Sequence, residues 1–201
     1  MTWLAGLVTA VVLAIAPSTA PVETSSPTTG PTHAAVEKTA AKKRVPTRDQ
    51  WLADVKAAMQ GSRGYVRQRV AAKTSDEKLA INFDIDNTVI ATYYDGGGAI
   101  PQMLRFSKLL KRLDVAMVFN SGRVASMQQR TLQQLTRNGF PVAGLCLRNK
   151  GETLPAGKQR CRDSFIDGGY TLIANVGNKD TDFVGDGYER AFRLPNYGVL
   201  G

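Results

Sequence analysis

The chain has 201 residues, with 26 Lys+Arg against 17 Asp+Glu for a net charge of +9, one His and two Cys. That length suits one domain, or one domain and a tail. The single histidine, His33, lies in a Pro/Thr/Ala-rich stretch, so the folded part has no imidazole for a Ser-His-Asp or Cys-His triad or for a histidine-ligated zinc or haem. Two cysteines cannot build a four-thiolate zinc site. Chemistry must therefore run on carboxylates, hydroxyls, lysines or a hard metal ion.

Residues 1–20 carry no charge, and Leu4–Ala16 is an apolar run of signal-peptide-core length, too short to span a bilayer comfortably. Ser18 and Ala20 offer small residues to a signal peptidase. No Lys or Arg precedes the run, and Pro21 follows it, so an uncleaved membrane anchor is the competing reading. Both imply export, hence a secreted or cell-envelope protein that touches the membrane only if the segment stays uncut. Residues 21–46, ending in the basic Lys42-Lys43-Arg44, show no apolar periodicity and are expected to be a disordered linker. The folded domain is expected over 47–201. In an exported chain Cys146 and Cys161 either form a disulfide or are two separate buried thiols; sequence leaves both open.

The domain opens at Thr47-Arg48-Asp49-Gln50, a capping-box pattern, followed by Trp51, Val55 and Met59 at helical spacing. A second helix is expected over Tyr65–Ala72. Leu79–Asp84 is the first strong strand. After Gly96-Gly97-Gly98, Pro101 starts a helix with an apolar stripe at Phe106, Leu109, Leu110 and Leu113. Val115–Asn120 is a second strand, with a helix from about Val124 to Asn138-Gly139. A third strand (Val142–Leu147), a helix (about Lys158–Asp167), a fourth strand (Tyr170–Val176) and a short fifth (Ala191–Leu194) complete the alternation. Strands alternating with helices predict an α/β fold with a parallel sheet covered on both faces, and a site at the carboxyl ends of its strands.

Those strand ends carry the candidate residues. Asp84 and Asp86 stand two apart after the first strand, so both can face the crevice, where two carboxylates need a cation or a shared proton. Asn120-Ser121-Gly122-Arg123, then a helix, is either an oxyanion site or a Ser N-cap. Lys158 is either a phosphoryl-neutralising cation or a solvated lysine. Gly177-Asn178-Lys179-Asp180-Thr181-Asp182 is an oxygen-rich turn whose bland alternative is a helix cap.

The order of these motifs resembles the haloacid dehalogenase superfamily. FDIDNT at 83–88, FNSGR at 119–123, Lys158 with Arg162, GGYTLIANVGN at 168–178, Asp182 and FRLPN at 192–196 are similar to the branch of secreted and periplasmic acid phosphatases related to plant vegetative storage proteins. The resemblance implies a Rossmann-like three-layer fold and a Mg²⁺-dependent phosphomonoesterase acting on small phosphate esters. It implies Asp84 as nucleophile and Asp86 as general acid and base. Ser121, Gly122 and Lys158 would bind phosphate. Asp84, Asp86 (through its carbonyl), Asn178 and Asp182 would hold the metal. Asn178 departs from the family's Asp and is expected to weaken metal binding. Asn87 stands where that branch commonly has an acidic residue. The short loop Ala91–Ile100 leaves room only for a minimal cap, hence an open site or one closed by a second subunit of a homo-oligomer. Tyr93 and Tyr94 either stack on a leaving group or simply pack. Two other functions compete: a non-catalytic phosphate-binding or storage protein with a degenerate metal site, and a nucleic-acid end-processing phosphatase, although no specific nucleic-acid partner is expected of an exported chain.

Overall fold

The structure is a computed structural model that describes residues 45–200; the N-terminal apolar run and all but the last two residues of the expected linker lie outside the described residues. Among the described residues no helix is long and apolar enough to cross a membrane.

Thr47 caps the first helix as its sequence suggests, its hydroxyl accepting from the Gln50 amide at 3.2 Å. Helix α1 is Arg48–Ala58 and α2 is Ser62–Ala71, divided at Gly61, whose φ of +79° is a conformation glycine adopts without strain. Strand β1 (Lys78–Phe83) follows, then a small antiparallel hairpin of β2 (Ile90–Ala91) and β3 (Gly98–Ala99), which is the whole of the minimal cap. Next come α3 (Pro101–Arg112), β4 (Ala116–Val124), α4 (Gln128–Arg137), β5 (Gly144–Arg148), α5 (Leu154–Asp167), β6 (Tyr170–Gly177) and β7 (Ala191–Arg193). Pro101 sits in the first turn of α3, where its missing amide hydrogen costs nothing.

The five main strands pair in parallel in the order β5-β4-β1-β6-β7, with β1 at the centre. The chain leaves β1 towards β4 and β5, then returns through α5 to β6 on β1's other side, so the carboxyl end of β1 lies at the topological switch point where such sheets bind ligands. Alternate residues of β1 serve the two faces. Leu79, Ile81 and Phe83 join Trp51, Val55, Met103, Phe106, Leu109 and Leu110 in the larger core. Ala80 packs with Val118, Leu172, Cys161 and Phe165 beneath α5.

Several boundaries differ from the sequence reading, most of all the β4–α4 junction and the start of α5. Strand β4 continues past Asn120 to Val124, with an irregular register between Ser121 and Val124, and a 3₁₀ turn (Ala125–Met127) precedes α4. Ser121 is thus a strand residue and not a helix cap. Helix α5 starts at Leu154, a turn earlier than expected, because Thr153 caps it by accepting from Ala156 N and Pro155 fits its first turn. Cys146 on β5 and Cys161 on α5 are disulfide-bonded, their Cα atoms 5.5 Å apart, which resolves the open alternative.

Candidate active site

Asp84 is the first residue beyond β1, its amide donating to Val176 O on β6. The chain then turns tightly: Asn87, at φ +57°, lets three successive amides (Thr88, Val89, Ile90) converge on Ile85 O. That turn aims the Thr88 hydroxyl back at Asp84 Oδ2, 3.0 Å away.

Lys158 reaches in from α5 and is 4% exposed. Its ammonium donates to Asp84 Oδ1 at 2.6 Å, to Asp182 Oδ1 at 2.8 Å and to Asn120 O at 2.6 Å. An ammonium has three protons, so all of them are committed within the protein. Lys158 therefore lies beneath the nucleophile candidate and can meet a phosphoryl oxygen only by releasing one partner. Two carboxylates share this single buried cation. Burial and the neighbouring Asp182 outweigh Asp84's share of the ammonium and push its carboxyl above the ordinary carboxylate range. Burial opposes the Lys158 charge, yet the two carboxylates overcome it and hold its pKa above the usual lysine value.

Asp182 is fixed from every side. Its Oδ2 accepts from the Asn178 and Lys179 amides at 3.0 and 2.9 Å. Its main-chain oxygen accepts from Asn175 Nδ2 at 2.7 Å and Arg162 Nη1 at 3.0 Å. Gly177 makes this approach possible, since a Cβ there would lie 2.6 Å from that of Asp182. Arg162, wholly buried, also donates to the main-chain oxygens of Val184 and Asp186, so it moulds the loop that carries Asp182.

Asp86 is more open. Arg123 grips it bidentately at 2.7 and 2.8 Å, and the Thr92 hydroxyl donates to it at 2.6 Å. Arg123 is held from behind by Gln134 Oε1 at 2.8 Å. Burial raises the Asp86 pKa, but Arg123 and Thr92 more than offset it, leaving the group below its ordinary value. This arginine pair was not assigned from sequence; its signal was Arg123 at a strand end two residues after Ser121. Ser121 Oγ accepts from the Arg123 amide at 3.3 Å, which leaves its own hydrogen free to donate.

Asp84, Asp86, Ser121, Gly122, Lys158 and Asp182 together line one cavity of about 200 Å³, with Arg123, Lys179 and Thr181 among its other walls. A Cβ on Gly122 would meet Leu154 Cδ2 at 2.6 Å, so a side chain there would require the Leu154 tip to move. Asn178 is the exception. It does not line the cavity, and its Nδ2 donates to Leu200 O at 2.9 Å, tying down the segment that carries Leu200. Tyr94 is also spoken for: it stacks on Trp51 at 4.7 Å and donates to Pro46 O. Neither Tyr93 nor Tyr94 lines the cavity, so packing is the reading that holds for Tyr94.

A family model described as HAD superfamily, subfamily IIIB (acid phosphatase) matches residues 94–200, more than half of the chain. This chain belongs to that family. The matched stretch of the subfamily IIIB model takes in Ser121, Lys158, Asn178 and Asp182 and begins just after the Asp84–Asp86 turn. Vegetative storage protein 1 of Arabidopsis thaliana is 25% identical over 123 residues, which are 57% of this chain and 46% of that protein. The chain thus spans about half the length of that curated relative. Among solved structures, the class C acid phosphatase from Bacillus anthracis aligns with TM-score 0.61 with tungstate bound and 0.60 in a second structure. The identities are 19% and 18%, covering 75% of this chain and 79% of that one. The likeness establishes a shared α/β fold.

Phosphatases of this superfamily generally use a divalent metal. Among the described residues no group of three or more His, Cys, Asp or Glu side chains converges as a metal site. The available oxygens are the Asp84 and Asp182 carboxylates, the Asp86 carbonyl and Asn178 Oδ1. This last atom is buried and accepts no hydrogen bond. Asn178 stands outside the cavity, with only its main-chain amide against Asp182 Oδ2, but its orphaned oxygen and the two carboxylates are of the hard oxygen type that Mg²⁺ takes, one negative charge short of an Asp at 178.

Proposed function

We propose that this chain is an exported Mg²⁺-dependent phosphomonoesterase that hydrolyses small phosphate esters through an aspartyl-phosphate on Asp84. The observation that carries it is the buried Asp84–Lys158–Asp182 cluster opening into the 200 Å³ cavity at the switch point of the sheet. A cavity of that size has room for a phosphoryl group. Tungstate, the ligand in the Bacillus anthracis structure, is a tetrahedral oxyanion like phosphate, and this supports the same use of the site here.

In the proposed reaction an Asp84 oxygen attacks phosphorus as the P–O bond to the alcohol breaks, and the departing oxygen takes a proton from Asp86. Asp86 then takes a proton from water, whose oxygen displaces Asp84 and releases inorganic phosphate. Lys158 opposes the effect of burial on Asp84 and, on releasing one of its partners, offsets the charge of a phosphoryl oxygen, and the Ser121 hydroxyl donates to another. Arg123 favours ionised Asp86, the form that activates water, so protonating the leaving alcohol is the step that acid pH assists. The Asp84 carboxylate, the Asp86 carbonyl, Asn178 and Asp182 would hold Mg²⁺, which lets an anionic nucleophile approach an anionic ester.

A second reading, a phosphate-binding or storage protein, is favoured by the commitment of the Asn178 amide to Leu200 O. One assay separates the two: hydrolysis of p-nitrophenyl phosphate with and without Mg²⁺, beside Asp84→Asn. Metal-dependent turnover that vanishes in the variant supports the enzyme. A folded protein with no turnover at any metal concentration or pH overturns it in favour of the binding protein.

A further inference from the structure

Away from the strand ends, a second groove of about 610 Å³ runs between α1, the α1–α2 turn and the first half of α3. It is roughly three times the volume of the candidate active site. Its form follows from small residues. Ala53 and Ala57, four apart on α1, share one helix face and give the groove depth. Gly61 turns the chain at its end, and Phe106 supplies an apolar floor from α3.

The charge around this floor is one-sided. Lys56, Arg63 and Arg105 line the groove, and no carboxylate does. Some basic side chains elsewhere on this domain have found acids, as Arg48 has Asp95 and Arg160 has Glu152, whereas others such as Arg67, Lys108 and Arg130 have found none among the described residues, so what marks the groove is three cations around one apolar depression. Among the described residues the three groove cations take part in no ion pair. Three like charges around an apolar depression repel one another mildly in water and together raise the local concentration of anions. The volume falls within the ~300–1,000 Å³ typical of small-molecule pockets.

We propose that this groove binds a small amphipathic organic anion. The aromatic or short alkyl body lies against Ala53, Ala57 and Phe106, and the acid group lies among Lys56, Arg63 and Arg105. Such a site is separate from the phosphatase reading and stands or falls without it.

The test is titration of naphthalenesulfonate into the full-length chain, followed by calorimetry and by amide NMR shifts. Saturable one-to-one binding is expected, with shifts clustered at residues 53–63 and 102–106. Arg63→Gln combined with Arg105→Gln should weaken binding about tenfold, since each exposed charge contributes modestly. Added salt should weaken it as well, and Ala57→Trp should block the groove. Asp84→Asn should leave binding unchanged. Uncharged naphthalenemethanol binding as tightly, or inorganic phosphate competing on equal terms, would overturn the proposal, because the groove would then be merely greasy or merely cationic. Shifts centred on Ser121 and Asp182, or an unchanged affinity in the double arginine variant, would overturn it too.

Discussion

Replacing Lys158 by Met removes the only cation from a buried cluster while keeping most of the side-chain volume. The Lys158, Asp84 and Asp182 side chains are 5%, 10% and 3% exposed, so water screens them little. At contacts of 2.6 and 2.8 Å the direct attraction is roughly 6 kcal/mol each at an effective dielectric of about 20. Desolvation already cancels much of that, and breaking a buried pair typically costs about 3–5 kcal/mol. Against a total stability of ~5–15 kcal/mol, this loss is visible in urea unfolding as a large fall in midpoint. The deficit has a pH signature. Without a counter-charge the Asp84 carboxyl, already raised by burial, rises further, and such a group supports the fold at low pH and withdraws that support as pH rises through the raised value. The variant should therefore be most handicapped near neutrality and should close on the wild type at about pH 5. Adding Asp84→Asn to Lys158→Met should restore part of the loss, because one buried charge disappears. A loss below about 1 kcal/mol, or one that is equal at both pH values, would refute the claim that Lys158 neutralises two buried carboxylates.

Asn178→Asp should tighten Mg²⁺ binding, read by calorimetric titration, by supplying the charge the site lacks; an unchanged titration would mean that residue 178 is not a ligand. Gly177→Ala should cut phosphatase activity about a hundredfold or more, because the new Cβ displaces the Asp182 carboxylate; steady-state kinetics with a retained circular dichroism spectrum would check it. Cys146→Ser with Cys161→Ser opens a loop of 15-residue separation and should lower unfolding free energy by about 3 kcal/mol; chemical denaturation under oxidising conditions reads this directly.

Much of the architecture was legible because its causes are local. The stripe of Phe106, Leu109 and Leu110 announced α3, and Thr47 announced the start of α1, since helical period and capping act within one or two turns. The strand order was not written locally, but alternating strands and helices leave few parallel arrangements, so the ends of the strands could be located. The helix expected from Val124 starts at Gln128 instead, because β4 finds pairing partners on β5 as far as Arg148. Propensity cannot foresee such a partner. Tyr93 and Tyr94 show the same limit, since only the folded chain puts Trp51 against Tyr94.

Sequence alone determined which residues carry the chemistry near the strand ends: Asp84 and Asp86 after β1, Ser121 on β4, Lys158 on α5 and Asp182 in the turn after β6, five of the residues that line the cavity. Each lies in a motif of contiguous residues, and neighbours in a chain are neighbours in any fold. Tertiary structure decided how they are occupied. Lys158 meets Asp84 across 74 residues, Arg123 meets Asp86 across 37, and Asn178 gives its amide to Leu200 across 22. Whether a cation is free to bind substrate, an acid is held ionised, or an amide is spent on a main-chain oxygen depends on which distant donor or acceptor arrives within hydrogen-bonding range. Hydrogen bonds and ion pairs act over a few ångströms in space and take no account of separation along the chain.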